Sequence, residues 1–447
     1  MQGTKDLTQG PILGQLFKLA LPIMATSFVQ MAYSLTDMAW VGRLGSEAVA
    51  AIGAVGILVW MSTSISILNK VGTEVSVGQS IGQKDEQAAR TFAAHNITLS
   101  TILALVWVTI LFFFAEPIIA LFDLEPQIAA QAVSYLRIVV FGLPFFIVSA
   151  SFTGLFNAAG RSRIPFAINA SGLVLNILLD PLFIFVFHMG TDGAAVATMI
   201  GQIVVFSLFV YQLKVKEILF PKLRFYTRLK RRYTLRVLHL GLPAATLNIL
   251  FAFINMYICK RAALAGGHIG LMTFTAGGQI EAITWNTAQG FSTGLSTFVA
   301  QNYAAGKVVR VLKAYHTTLW LTGIIGGICT LLFIFMGEEI FSIFVPEEAA
   351  YKAGSVFMRI DGYSQLFMML EITMQGMFYG TGRSIQPAAI SIGGNLIRIP
   401  LAVYLVSMGL GVSGIWWAVS LSSILKGACA FCWFYWLKKR ILVAPSF

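Results

Sequence analysis

The chain of 447 residues carries 31 Lys and Arg against 19 Asp and Glu, a formal net charge of +12. Only 11% of its residues are charged and 57% are hydrophobic, with a mean hydropathy of +0.78, whereas soluble domains carry about 25% charged and 45–50% apolar residues. A water-soluble enzyme of 48.7 kDa is therefore nearly excluded, and the same hydrophobicity excludes disorder. A membrane helix needs roughly 20 mostly apolar residues. In chain order, twelve stretches qualify: 14–40, 48–69, 95–114, 132–156, 164–188, 193–213, 237–259, 269–299, 315–336, 354–379, 387–408 and 414–437. The first is too long, and lacks the small-residue cleavage site, for a cleavable signal peptide. Most connections are short and marked by Gly, Pro or charge, as in Gly160-Arg161-Ser162. The exception, 214–236, holds nine Lys and Arg, from Lys214 to Arg236, and divides a 1–213 half from a 237–447 half. Cys259, Cys329, Cys429 and Cys432 are too few for a disulfide scaffold. The pair Cys429-x-x-Cys432 lies in an apolar run without a second pair, so it reads as ordinary membrane-helix residues.

Charge placement gives the orientation. With both termini cytoplasmic, the inner segments, counted with Lys18 at the inner start of the first span, hold 22 of the 31 Lys and Arg, against four (Arg43, Lys260, Arg261, Lys352) in the outer loops. Glu116, Asp123, Glu125, Asp192, Glu338, Glu339, Glu347 and Glu348 all fall on the outer side. This is the positive-inside pattern. The excess of positive charge is a topological signal, and nucleic acid is not an expected partner.

The halves also resemble each other at a constant offset. Gly154-Leu155-Phe156-Asn157-Ala158-Ala159-Gly160-Arg161-Ser162 recurs 222 positions on as Gly376-Met377-Phe378-Tyr379-Gly380-Thr381-Gly382-Arg383-Ser384. Pro165 matches Pro387, Gly172 matches Gly394, and Leu21-Pro22 matches Leu242-Pro243. Six spans per half is an even number, so both halves share one orientation. The expected fold is all-α integral membrane, with twelve transmembrane helices in two six-helix bundles related by a pseudo-twofold axis along the membrane normal. A cavity between such bundles reads as an alternating-access carrier.

Ionisable residues inside spans cost about 2.5–3.5 kcal/mol on insertion scales, so they usually line a cavity or pair with one another. Here they are Asp37, Lys70, Glu74, Asp180, Glu281, Asp361, Glu371 and Arg398, with Arg137 and Arg359 near span starts and Lys426 in the last span. Gln30, Tyr33 and Asp37 share one helical face, and Pro22, about four turns earlier, should loosen that helix. Asn176 and Asp180, spaced i, i+4, share a face of the fifth span, and Thr198 adds a hydroxyl from the sixth. Two carboxylates, an amide and a hydroxyl are hard oxygen ligands suited to Na⁺, and equally to a proton shared between two acids. The second half has no counterpart, because Asp37 aligns with Ile258, Asn176 with Arg398 and Asp180 with Ala402. Ion coupling is thus expected in the first half alone. Glu281 and Glu371 either face the cavity or bond within their own bundle, and Arg398 and Asp361 form a structural pair or are linked through solvent. The five histidines have no ligand spacing, and neither H-E-x-x-H nor G-x-x-x-x-G-K-[ST] occurs. No enzymatic activity, zinc site or ATP-driven cycle is expected.

The combination of motifs resembles the multidrug and toxic compound extrusion (MATE) transporters, specifically their DinF-like branch. The resemblance rests on Leu21-Pro22 with Gln30, Tyr33 and Asp37, on Gly78-Gln79-x-x-Gly82, and on Phe156-Asn157-Ala158-Ala159-Gly160. It rests further on Asn176-x-x-x-Asp180-Pro181, Gln279-Ile280-Glu281 and Gly294-x-x-x-x-x-x-Gln301-Asn302. It implies a V-shaped outward-open arrangement of two lobes. The implied activity is export of small cationic, amphipathic drugs against entry of Na⁺ or H⁺, without a cofactor. A multi-pass monomer among the lipids of a prokaryotic inner (cytoplasmic) membrane is the implied setting. The family's first-lobe cation site maps onto Asp37, Asn176, Asp180 and Thr198, its bending proline onto Pro22, and positions lining the first-lobe pocket onto Gln30, Tyr33 and Asn157; Glu281, from the residues alone, is a further candidate substrate contact in the second half. Other branches carry a carboxylate on the seventh helix where this chain reads Asn248-Ile249-Leu250-Phe251-Ala252, which argues against a second-lobe ion site of that kind. The rival is a lipid-linked oligosaccharide flippase of the same superfamily, whose members line the cavity with cations; here Arg398 is the main cationic exception among carboxylates.

Overall fold

A computed structural model describes residues 3–441. Helices account for nearly all of it, and there is no strand among the described residues. The first half runs through α1 (Ile12–Gly42), α2 (Ser46–Gly82), α3 (Glu86–Phe113), the short α4 (Ala115–Ala120), α5 (Pro126–Val139), α6 (Leu143–Ala158), α7 (Arg163–Pro181) and α8 (Gly190–Val210). The second half runs through α9 (Arg231–Ala304), α10 (Val308–Phe335), the short α11 (Gly337–Phe344), α12 (Glu348–Gly380), α13 (Ile385–Leu405) and α14 (Gly411–Ile441).

Eight helices are long and apolar enough to cross a membrane, and the α5/α6 pair, bent by 48°, makes a ninth. That bend has a local cause: Pro144, at the start of α6, has no N–H to offer the Val140 carbonyl. The 74-residue α9 is two spans joined at Gly267, whose φ of 60° and ψ of −150° suit only glycine. The stretch Ile385–Trp436 is likewise two spans, separated at Gly409 and Gly411, both with positive φ. The remaining span is α12, 33 residues long, whose buried Asp361, Gln365, Glu371 and Gln375 make it too polar to register as an apolar stretch. The twelve spans expected from the sequence are thus all present as helices.

Two compact units emerge, one of residues 3–7 with 25–245 and one of residues 8–24 with 246–441. The division falls at Met24/Ala25 in α1 and at Ala245/Thr246 in α9, two residues after Pro22 and Pro243 respectively. These are repeat-equivalent places. In the second unit the start of α1 packs on the later part of α9, with Phe17 edge-on to Phe291 at 5.9 Å. In the first unit Arg236, at the start of α9, donates to Gln79 Oε1 at 3.0 Å. The basic stretch 214–236 packs as part of that unit. Leu219, Phe220 and Leu223 are buried in its core beside Phe152, Phe156 and Phe209, and Thr98 Oγ1 donates to the Phe225 carbonyl.

Replacing Gly267 by Ala forces a Cβ into a backbone region reserved for glycine, at a cost of about 1–3 kcal/mol. The purified Gly267→Ala protein is expected to melt below wild type in a thermal-unfolding scan, with its helical content at low temperature unchanged.

Candidate cation site

In the first unit, α7 carries Asn176 and Asp180 one turn apart, and both are fully buried. Asn176 Nδ2 donates to Asp180 Oδ1 at 3.0 Å. The helix ends there for a clear reason. Pro181 supplies no N–H for the Ile177 carbonyl, and the chain continues as a wider π turn over Leu182–Val186. Against this end of α7 stands α1, which brings Tyr33 and Asp37 on one face. Both are half-buried, and Asp37 is close enough to Asp180 for their charges to interact.

α8 completes the site with Thr198, one turn before Gly201. Tyr33 reaches across to α8, its hydroxyl 3.7 Å from where a Cβ on Gly201 would stand. It faces Thr198 without closing a hydrogen bond. The electrostatics add one residue that spacing could not mark. Tyr135 of α5 is 5% exposed, and its phenol lies within electrostatic reach of Asp37, Asp180 and Tyr33. In the sequence it is one tyrosine in an apolar span.

Asp37 Oδ1, Asp180 Oδ2, Asn176 Oδ1, Thr198 Oγ1 and the Tyr33 hydroxyl are all buried with no hydrogen-bond partner in the protein. Buried polar groups are ordinarily satisfied. Two carboxylates, an amide oxygen and two hydroxyls gathered in this way form a hard-oxygen donor set. It fits a small monovalent cation, and equally a proton held between the two acids.

The other sequence-derived candidates lie elsewhere. Gln30 is exposed one turn before Tyr33 on α1. Asn157 is buried in the last turn of α6, beside the tight turn that leads into α7. Asp180 is some 17 residues further along α7 from that turn, a separation of about 25 Å along a helix. Pro22 is half-buried inside α1.

Glu281 belongs to the second unit, where its charge interacts with those of Arg398, Lys426 and Asp361. There Arg398 donates to Ser422 Oγ at 2.8 Å and Ser423 Oγ at 3.0 Å. Asp361 accepts instead from Gln365 Nε2 at 2.6 Å and Ser364 Oγ at 3.3 Å. Arg398 and Asp361, expected to pair directly or through solvent, thus take different direct partners and interact at longer range. Sequence alone does not resolve that choice.

A twice-repeated bundle of membrane-spanning helices with unpartnered acidic oxygens in one repeat defines a multi-pass membrane carrier. The family model for MatE matches residues 22–182 and 243–404, and the chain belongs to that family of membrane transporters. The matched segments begin 221 positions apart, which is the internal repeat seen again. The chain is 26% identical to the probable multidrug resistance protein NorM of Thermotoga maritima, over 96% of this chain and 94% of that one. It is 24% identical to a protein described as an FAD transporter in Shewanella oneidensis, over 99% and 97%. Its fold matches a crystal structure of MATE in complex with MaL6 with a TM-score of 0.92, at 21% identity and 98% coverage of both chains.

Asp37→Asn removes one of two neighbouring buried acids without changing shape. In Na⁺-free buffer near neutral pH this protein is expected to melt above wild type, by about 1–2 kcal/mol of relieved repulsion and desolvation. The gap should close as pH falls, because protonation of wild type then removes the same charge. Thermal unfolding across a pH series checks both the sign and the convergence.

Proposed function

We propose that the protein is a secondary active exporter that moves cationic, amphipathic compounds out of the cell against entry of H⁺ or Na⁺. Ion coupling is confined to the first unit. The observation that carries this reading is the set of unpartnered buried oxygens on Asp37, Asn176, Asp180, Thr198 and Tyr33. The charge of the two carboxylates has no partner in the protein, and an ion or a proton would meet it.

The mechanism follows from which groups can hold charge. With Asp37 and Asp180 ionised, the first unit favours a cationic compound near Tyr33 and Gln30. Arrival of the coupling ion neutralises the acids, so the attraction for the compound disappears. α1 is the element able to transmit the change, since Asp37 sits in the ion site and Pro22 removes one bond from the same helix. The division between the two compact units falls two residues after that proline, which supports Pro22 as the place where α1 bends. Coupling then requires only that ion and drug differ in their affinity for the two conformations. Glu281, held among charges in the second unit, is a second candidate contact for the cargo's positive group. The membrane is expected to be a prokaryotic inner membrane with both termini cytoplasmic, an orientation supported by the excess of Lys and Arg on that side.

The test is transport of a fluorescent organic cation into and out of proteoliposomes under separately imposed Na⁺ and pH gradients. Wild type is expected to respond to one gradient, and Asp37→Asn and Asp180→Asn to lose at least about tenfold in coupled rate, equal to about 1.4 kcal/mol. Wild-type rates in both variants would sink the reading. Accumulation of a lipid-linked precursor in a deletion strain, with unchanged drug sensitivity, would assign a flippase in its place.

A further inference from the structure

The second unit places a cation of its own where the first unit has none. Lys426 Nζ of α14 lies 3.3 Å from Glu371 Oε2 of α12, with side-chain exposures of 9% and 3%. The other carboxylate oxygen of Glu371 accepts from Ser391 Oγ of α13 and from Gln375 Nε2 at 3.2 Å. Gln375 Nε2 also donates to Ser391 Oγ at 3.1 Å. The groups charged or titratable around the pair are Arg398 of α13, Glu281 of α9, Asp361 and Tyr379 of α12, besides Glu371 itself.

The internal repeat shows what this arrangement replaces. In the first unit Gly172 of α7 admits Val205 of α8, and a Cβ at Gly172 would stand 2.4 Å from Val205 Cγ2. At the equivalent place Gly394 of α13 admits the stem of Lys426, with a Cβ there standing 2.1 Å from Lys426 Cγ. Lys426 follows Val205 by 221 positions and Gly394 follows Gly172 by 222. The same glycine groove thus accepts valine in one unit and a lysine in the other. A second substitution runs in parallel. Arg398, equivalent to Asn176, reaches Ser422 and Ser423 of α14, whereas Asn176 leaves its oxygen open toward the acid site.

We propose that Lys426 is a tethered cation: its ammonium fills beside Glu371 the place that an exchangeable monovalent cation would otherwise take, and so keeps the second unit from binding a coupling ion. The chemistry is substitution of like for like. An ammonium and Na⁺ carry the same charge and are both satisfied by carboxylate, hydroxyl and amide oxygens. Glu371 Oε2, which faces Lys426, supplies the carboxylate oxygen, and Ser391 Oγ stands beside the same carboxylate. A covalently attached ammonium cannot leave, so this charge does not exchange with either side of the membrane. Lys426 is on this account a residue that determines where ion coupling occurs, through the partner it neutralises.

The inference goes beyond the function proposed above and does not depend on it, because its test is run with the first-unit site disabled. In the full-length Asp37→Asn protein, Lys426→Ala removes the ammonium and leaves room for an ion. The double variant is expected to melt well below its parent in choline chloride and to regain stability saturably in NaCl or methylammonium chloride. Equilibrium binding of radioactive Na⁺ should show a saturable site absent from the parent. Adding Glu371→Gln should abolish both the salt response and the Na⁺ binding, since the carboxylate that Lys426 meets is then gone. Lys426→Arg, which keeps a tethered charge, should respond to these salts no more than the parent does. The proposal is overturned if Lys426→Ala shows no stability gain in Na⁺ or methylammonium relative to choline, including by failing to fold in all three. It is equally overturned if the gain survives Glu371→Gln, or if Lys426→Arg is as salt-responsive as Lys426→Ala.

Discussion

A carboxylate held at membrane depth has to be neutralised by something, and this requirement organises both units of the protein. Removing a charge from water costs several kcal/mol even after the surroundings relax, more than ordinary packing around one residue returns. In the first unit Asp180 is fully buried with a single donor, Asn176, and one of its oxygens unpartnered. Asp37, Thr198 and Tyr33 add further open oxygens to the same place. In the second unit Glu371 is met by Lys426, by Ser391 and by Gln375. One unit therefore leaves acidic oxygens without a partner in the protein, and the other meets its acid with a cation from its own chain.

The rest of the fold can be understood as making that difference usable. Helices satisfy their own backbone polar groups, the only way these segments can be continuous at membrane depth. Breaks are then confined to places where proline or glycine permits them. Pro181 ends α7 directly after Asp180, Pro144 bends the fourth span, and Gly267 separates the two spans within α9. Pro22 and Pro243 each lie two residues before the place where the chain passes from one compact unit to the other. A helix lacking one ladder bond at such a place bends at lower cost than an intact one. α1 contains both Pro22 and Asp37, so the place where that helix lacks a ladder bond and one of the buried acids lie on the same helix.

Sequence and structure agree closely where the information is local. The twelve spans and the i, i+4 partnership of Asn176 and Asp180 are set by short-range spacing, the internal repeat is visible as a constant offset along the chain, and each is present in the structure. The polar α12 illustrates the limit of hydropathy. Its Asp361, Gln365, Glu371 and Gln375 lower its mean hydropathy, yet all four are buried against other helices. Tyr135 joins the acid site without any local signature, because its proximity depends on how α5 packs. The same holds for Arg398, whose direct partners are serines of α14 instead of Asp361. The basic stretch 214–236 reads as a connection by its charge, but Leu219, Phe220 and Leu223 anchor it in the core of the first unit.

Composition, spacing and the distribution of Lys and Arg by themselves determined the class, the duplicated architecture and the orientation expected in the membrane. They also singled out Asp37 and Asp180, because an acid in an apolar stretch is conspicuous whatever surrounds it. Only the tertiary structure decided which buried charges face each other, that Tyr135 stands beside the acids, and that Lys426 neutralises Glu371 through a groove over Gly394. Those pairings join residues on different helices, with separations set by packing, and no local periodicity carries that distance.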